Sequence, residues 1–554
     1  MQVKSVLNMA EKRMPYILII RCGFTPLSLR SCITQSKCGR VPSMNKVYTT
    51  PELRQQVDPT GRGAAFLAQF RDSLPVAQPV LFANRTRDQW LKMYLDLRAK
   101  VLAERHRLLR EYDDQHICKY GAQGANFSLK ELLGYYERSY QHAEERVVIG
   151  RRLQAGRQYL LSRIRNRVKS VGLPQVVPVS VWNTSSALPC MLKKGDFMAE
   201  SFVYPVFGHL QANLPGQKDQ RQKHRVINQD AVGNVRLLER QLSAVRNWLK
   251  REFPEYFSAW LHPAEQLNPR IYRHMMDQQV WSVETDYKAC DEEYSLELAN
   301  EAVLPVFEAL LTPVEFTRTW SLVEELFYQP TYFGSFLLTG KHNLLSGQAI
   351  TNDFETIYGV QLAIGSILEA GLDPEDCMIA VLGDDIFILV HDKRSKAIAI
   401  QEGMYEEGEL NSMAWNREKG GLFQASVRFC RRVYYPGLAT EYNNDGKPFF
   451  RGAYPTVLAL NSIINPWKCI RTGAEVVSAT LQRLDNVYGS PIFEPFVKFV
   501  VKHSRAASVD PARLREDPND WWNRLYGEVW KLHDSPSAML LRKSKLFQHW
   551  FVEA

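Results

Sequence analysis

The chain has 554 residues, 45% apolar and 23% charged, which excludes a disordered polymer and requires more than one compact core. Lysine plus arginine exceeds aspartate plus glutamate by 69 to 60, a basic balance suited to a polyanionic partner. Nine scattered cysteines without a CxxC pair exclude a zinc ribbon or a disulfide framework, and no apolar stretch approaches the ~20 residues of a membrane span.

Residues 1–45 contain one acidic side chain, Glu11, among several lysines, arginines and serines. They read as a basic extension, with a mitochondrial targeting peptide as the minor alternative. Apolar spacing predicts one amphipathic helix over Gln89–Asp114. A second, very basic helical stretch carries Arg151, Arg152, Arg157, Arg163, Arg165, Arg167 and Lys169. Its charged face is either solvated or a wall for phosphates. The Pro- and Val-rich segment GLPQVVPVSVWN then marks extended chain and a boundary. From Gln217 to Arg240 a cationic run closes as a helix, and Lys223 and Arg225 alternate on a strand so that both project from one face.

The chemistry-bearing stretches follow. In ETDYKACDEE, Asp286 ends a predicted strand and Asp291 lies where the chain turns toward a helix. In LLSGQAITNDFE, Ser346 and Gly347 form a turn ahead of a helix, with Thr351 about one and a half turns into it. The bland reading of that turn is a helix cap; the other is a loop presenting hydroxyl and amide groups to a ribose. In VLGDDIFILV, the apolar runs Met378–Leu382 and Ile386–Val390 enclose Gly383, Asp384 and Asp385, a hairpin with a tight turn. Alone this is an ordinary Gly-Asp turn. With a third carboxylate from Asp286 it becomes a site whose repulsion divalent cations relieve. A charged helix from about Ser395 to Glu409, Lys419 in NREKGG, the strands SVRFCRRVYY and a mostly helical, Trp-rich C-terminal end complete the chain.

This order resembles the palm of viral RNA-dependent RNA polymerases from about Arg221 to Tyr435, nearest to the picobirnavirus and then the partitivirus enzymes of double-stranded RNA viruses. The stretches RVINQDAVGNVRLLERQL, SGQAITN and YPTVLALNSIINPW carry the likeness. It implies an α+β, right-hand polymerase fold: residues 1–45 as the extension, 46–270 as N-terminal region and fingers, 271–440 as palm with an inserted fingers segment, and 441–554 as a helical thumb. It also implies RNA-directed RNA synthesis from ribonucleoside triphosphates, with two Mg²⁺ or Mn²⁺ ions held by Asp286, Asp384 and Asp385. Lys223 and Arg225, assisted by Arg236, would meet the triphosphate. Asp291, Ser346, Gly347, Thr351 and Asn352 would meet the rest of the nucleotide, and Lys419 would be the general acid to pyrophosphate. Arg431 and Arg432 would meet RNA phosphates, and the basic stretches of the N-terminal third would line the template channel.

One position departs from the pattern. Many positive-strand RNA polymerases carry Asn nine residues after the motif's serine, where this chain has Glu355, so either Asn352 or Glu355 is left as the partner of Asp291. The resemblance further implies RNA template and product as partners, a viral capsid protein as another, and a site of action in the host cytoplasm within the virus particle. A reverse transcriptase is the enzymatic rival; Gly383 and Asp291 stand against it, where that class usually has an aromatic before the paired aspartates and an aromatic wall. A non-catalytic RNA-binding virion component is the other rival, and the intact Asp286, Asp384 and Asp385 stand against that.

Overall fold

The structure, a computed structural model, describes residues 45–48, 50–58, 61–62, 64–65, 80–121, 129–143, 145, 147–167, 171, 206–214, 223–230, 232–260, 263–275, 279–288, 290–333, 336–391, 394–438, 440–442, 448–449, 451–466 and 473–505. The basic extension, Lys169, the segment GLPQVVPVSVWN and the chain beyond residue 505 lie outside the described residues, as do the side chains of Lys223, Arg225 and Arg236.

After the short strand β1 (Asn45–Tyr48), two helices, α1 (Arg87–Val101) and α2 (Arg107–Asp114), stand where one was expected. Thr86 and Gln89 open α1 with a reciprocal capping box. The chain then turns extended at Leu102, because Leu102 and His106 enter the core and His106 Nδ1 lies 3.0 Å from Tyr435 Oη. Burial of these two side chains overrides the helical spacing. Next come α3 (Leu129–His142), α4 (Arg151–Arg165), β2 (Val206–Leu214), β3 (Lys223–Gln229), α5 (Val232–Glu252), β4 (Trp281–Thr285), β5 (Thr331–Tyr332) and β6 (Phe336–Thr339). The long helix α6 (Thr351–Glu369) leads to the hairpin β7 (Met378–Leu382) and β8 (Asp385–Val390), then α7 (Arg394–Leu410) and β9 (Gly421–Gln424). A second hairpin, β10 (Val427–Phe429) and β11 (Arg432–Tyr434), is followed by α8 (Thr456–Ile464), α9 (Gly473–Asp485) and α10 (Phe493–His503).

Helix and antiparallel sheet are thus combined, as expected of an α+β chain. The sheet that matters for the site has the order β7-β8-β4-β9, antiparallel throughout. Its strands β7 and β8 are rich in Val, Ile and Leu and buried along nearly their whole length, which suits strands covered on both faces. A five-stranded sheet, β1-β6-β5-β2-β3, stands beside the loop that precedes α6.

Helix α6 is buried almost all round, the mark of a helix enclosed by other elements. On one side its Gly359 lies against Val381 and Ile386 of the central hairpin. On the other it crosses α4 in backbone contact: a Cβ on Gly365 would collide with the Arg152 carbonyl, and one on Gly156 with the Gln361 carbonyl.

This crossing decides what the basic helix does. Arg151 and Arg152 both pair with Glu369, Arg152 also with Glu406 at 2.7 Å, Arg157 with Glu301 at 2.7 Å, and Arg163 with Glu375. Arg167 donates to the Glu252 carbonyl and covers the Phe253 ring. These arginines fasten α4 to its neighbours, so their charge is engaged by glutamates and a carbonyl of the protein itself. Two further networks hold distant segments together. Arg246 of α5 bonds Asp353 of α6 through Nη2 at 2.6 Å and Nε at 3.0 Å, while Trp260 Nε1 donates to the same carboxylate. Asp113 accepts from Tyr94, Arg98 and the Val457 N–H, joining α1 and α2 to the first turn of α8. No helix among the described residues is long and apolar enough to cross a membrane.

Candidate functional site

The hairpin register pairs Leu382 with Asp385 and leaves Gly383 and Asp384 as the two central residues of the turn. Gly383 has φ +60°, which a two-residue hairpin turn of the II′ class demands at its first central position. Helix α6 supports this turn from beneath: Gly383 N–H donates to Thr356 Oγ1 at 2.9 Å. A Cβ at Gly383 would come within 3.0 Å of Asn352 Oδ1 and 3.3 Å of Glu355 Oε2. Strand β4 pairs with β8 so that Thr285 faces Ile386, and the next residue, Asp286, therefore stands beside Asp385. Burial first, then the charges of Asp384 and Asp286, push the Asp385 carboxyl up to about 7.

A further group enters from the loop after α7. Asn416 N–H donates to the Asp286 carbonyl at 2.7 Å, and Lys419 Nζ lies 2.6 Å from Asp286 Oδ2. Among the described residues, no group of three or more His, Cys, Asp and Glu side chains is placed as a ready cation cage. The donor set still fits Mg²⁺ or Mn²⁺: three hard carboxylates, with Asp385 in electrostatic reach of both Asp384 and Asp286.

The Ser346–Ile350 loop is pinned to β3. Asn228 N–H donates to the Ser346 carbonyl at 2.8 Å, its side-chain amide adds 3.1 Å, and Ala349 N–H donates to Asp230. Gly347 has φ +96°, and a Cβ there would stand 2.5 Å from the Asn228 oxygen, so the loop needs glycine on both counts. Because the loop is held this way, α6 begins at Thr351, not upstream of it. Thr351 is buried and donates to the Leu345 carbonyl at 3.1 Å, closing its own loop; the expected place one and a half turns into the helix is corrected.

Asp291 sits in the short helix Cys290–Glu293, close to the Ser346 side chain. Burial and then Glu292 raise its carboxyl to about 6. Glu355 is buried beside both Asp384 and Asp291, and burial followed by those two charges raises its pKa far above the ordinary range. Of the two open partners, Glu355 is thus the electrostatic neighbour of Asp291, whereas Asn352 is exposed at the Gly383 turn. Lys223 and Arg225 lie two apart on β3, as the alternation predicted.

The β10–β11 turn places Cys430 (φ +49°) and Arg431 (φ +59°) in the left-handed region, a costly conformation for non-glycine residues. Cys430 is an electrostatic neighbour of Asp385 and Asp384, so the strained turn abuts the carboxylates. Arg431 is exposed at its tip. Arg432 instead donates to the Gly452 carbonyl at 2.7 Å and the Asn486 carbonyl at 3.2 Å, which turns it into the protein and away from the RNA role expected of it. Glu284, two residues before Asp286, is buried and pushed up to about 8 mainly by burial; it accepts from the Arg428 N–H at 2.6 Å and thereby docks β10 on β4.

Sequence reasoning missed Glu284, Thr356, Asn228 and Tyr135. An acid at the inward register of a strand was a readable signal for Glu284. The other three carry no local signal, since their partners are remote in sequence.

No family model and no curated protein matches the chain. Solved structures do. The crystal structure of the RNA-dependent RNA polymerase of a human picobirnavirus is similar with a TM-score of 0.69 and 16% identity, over 90% of this chain and 100% of that one. An insertion-loop deletion mutant of that polymerase is similar with a TM-score of 0.70 and 18% identity over the same shares. The chain has the fold of these polymerases.

Proposed function

We propose that the protein is an RNA-directed RNA polymerase that copies a viral RNA from ribonucleoside triphosphates. The observation that carries this reading is the placement of Asp286, one residue past β4, beside the Gly383–Asp385 turn with the Lys419 ammonium on it. The shared fold supports it, with fingers from about 46–270, palm from 271–440 and a helical thumb after 441.

Asp286, Asp384 and Asp385 would hold two Mg²⁺ or Mn²⁺ ions, which supply a lowered pKa for the attacking hydroxyl and charge neutralisation for pyrophosphate. The chain's own residues do the rest. Lys223 and Arg225 contact the triphosphate, and Asp291 with Ser346 and Gly347 reads the ribose 2′-hydroxyl, the handle that separates ribonucleotides from deoxyribonucleotides. Glu355 buttresses the turn and Asp291 together. As the 3′-oxygen bonds the α-phosphorus and gives up its proton to water, the bond to the bridging oxygen breaks. The Lys419 ammonium donates its proton to the departing pyrophosphate. Arg431 meets the product backbone near the growing end.

The test is incorporation of labelled ribonucleotides on single-stranded RNA with Mg²⁺ or Mn²⁺, by the purified chain and by Asp384→Ala. Template-dependent product lost in the variant is the expected result. Equal RNA binding with no product from either protein would turn the reading into a binding component, and product from deoxyribonucleotides in preference would turn it into a reverse transcriptase.

A further inference from the structure

Two neighbouring tyrosines of α3, outside every motif read from the sequence, close on the loop and the aspartate of the ribose site. Tyr135 Oη lies 3.4 Å from Asp291 Oδ2 and accepts the Ser346 N–H at 3.3 Å. Tyr136 donates to Asn228 Oδ1 at 2.5 Å, and Asn228 holds the Ser346 carbonyl. Both rings are buried and meet edge to face with centroids 5.1 Å apart, and Tyr136 stacks on Phe333 at 5.5 Å. The hydroxyls are therefore held by packing on either side of Ser346. Arg138, one turn along α3, pairs with Glu292 at 2.6 Å, so the helix grips the Asp291 segment at a second point.

We infer that Tyr135 is a specificity-determining positioning residue, whose hydroxyl fixes the Asp291 carboxylate so that it accepts a hydrogen bond from the 2′-hydroxyl of the incoming nucleotide. The inference rests on the polymerase reading above. A buried acceptor discriminates against a ligand that lacks the matching donor only where neither rotation nor water satisfies it instead. The Tyr135 hydroxyl occupies part of the acceptor capacity of Asp291 and holds its orientation. What remains is left for the substrate. A ribonucleotide fills it, and a deoxyribonucleotide leaves it unpaired. Without the Tyr135 hydroxyl the carboxylate turns or takes up water, and the Ser346 N–H loses its acceptor.

The experiment is single-nucleotide addition on a primed RNA template, reading kcat/KM for a ribonucleotide against its 2′-deoxy counterpart. Wild type, Tyr135→Phe and Tyr135→Leu are compared, either variant sufficing if its melting curve shows it folded, with a change at the exposed Glu137, Glu137→Gln, as the control on the same helix. The expected result is a loss of about three- to tenfold in the ribo-to-deoxy ratio in the Tyr135 variants, the size of one hydrogen bond, with the deoxyribonucleotide rate held and the ratio kept in Glu137→Gln. A folded Tyr135 variant in which the ratio stays at the wild-type value, or in which both substrates decline equally, overturns the inference while wild-type synthesis keeps the polymerase reading. A wild type that adds neither nucleotide overturns both.

Discussion

The Lys419 ammonium lies 2.6 Å from Oδ2 of Asp286, across 133 residues of chain. A cation from the protein thus already sits on the carboxylate that the proposed chemistry gives to a metal ion, and the same lysine is the proposed proton donor. Lys419→Gln is expected to lower the rate of nucleotide addition by about a hundredfold or more, the usual worth of a positioned general acid. It should also leave Asp286 free for a divalent ion. Mn²⁺ titration of the protein without nucleotide should show tighter binding in the variant, and weaker binding would remove Lys419 from this site.

The two adjacent arginines of the second hairpin should part company. Arg431→Gln removes an exposed charge at the turn and should reduce the slope of log affinity for RNA against log salt by about one. Arg432→Gln abandons the carbonyls of Gly452 and Asn486, and should lower the melting temperature with the salt slope unchanged. RNA affinity measured across a salt series, with thermal melts alongside, distinguishes the two.

Arg246 and Asp353 form a buried pair completed by Glu239 and Trp260. Arg246→Leu leaves Asp353 in the core without its charge partner and should cost about 3–5 kcal/mol in denaturant unfolding, whereas the double change with Asp353→Leu should cost less than the sum. An additive double mutant would mean that the pair is not coupled.

Burial raises the Glu293 carboxyl from the ordinary 4.5 to about 7, against the Ala414 N–H that it accepts. A carboxyl whose folded pKa is raised binds more protons folded than unfolded, so its stabilisation is complete below 4.5 and is lost as pH rises to 7. Glu293→Gln cannot ionise. Its melting temperature relative to wild type should therefore climb between pH 4.5 and 7 and level off above; a flat difference would refute the shift.

Gly347→Ala places a Cβ 2.5 Å from the Asn228 oxygen at φ +96°. It should abolish ribonucleotide addition by displacing Ser346 from Asp291, while the melting temperature moves by only a few degrees, the size of a local backbone strain. Retained activity would show that the loop is not part of the site.

What the sequence determined by itself was whatever a few neighbouring residues decide. Branched apolar runs on either side of Gly383 and Asp384 make a hairpin with its acids at the tip, and the alternation around Lys223 makes a strand. The motif order was visible because it is a one-dimensional property. The tertiary structure alone decided which charges are spent on the protein itself. The arginines of α4 find glutamates as far as 254 residues away, Arg432 turns to carbonyls of later loops, and Tyr135 reaches Asp291 across 156 residues. A charge or hydroxyl looks the same in sequence whether it faces solvent, a phosphate or a carboxylate. Only the packing that brings remote segments together, and withdraws water from between them, settles which partner it has.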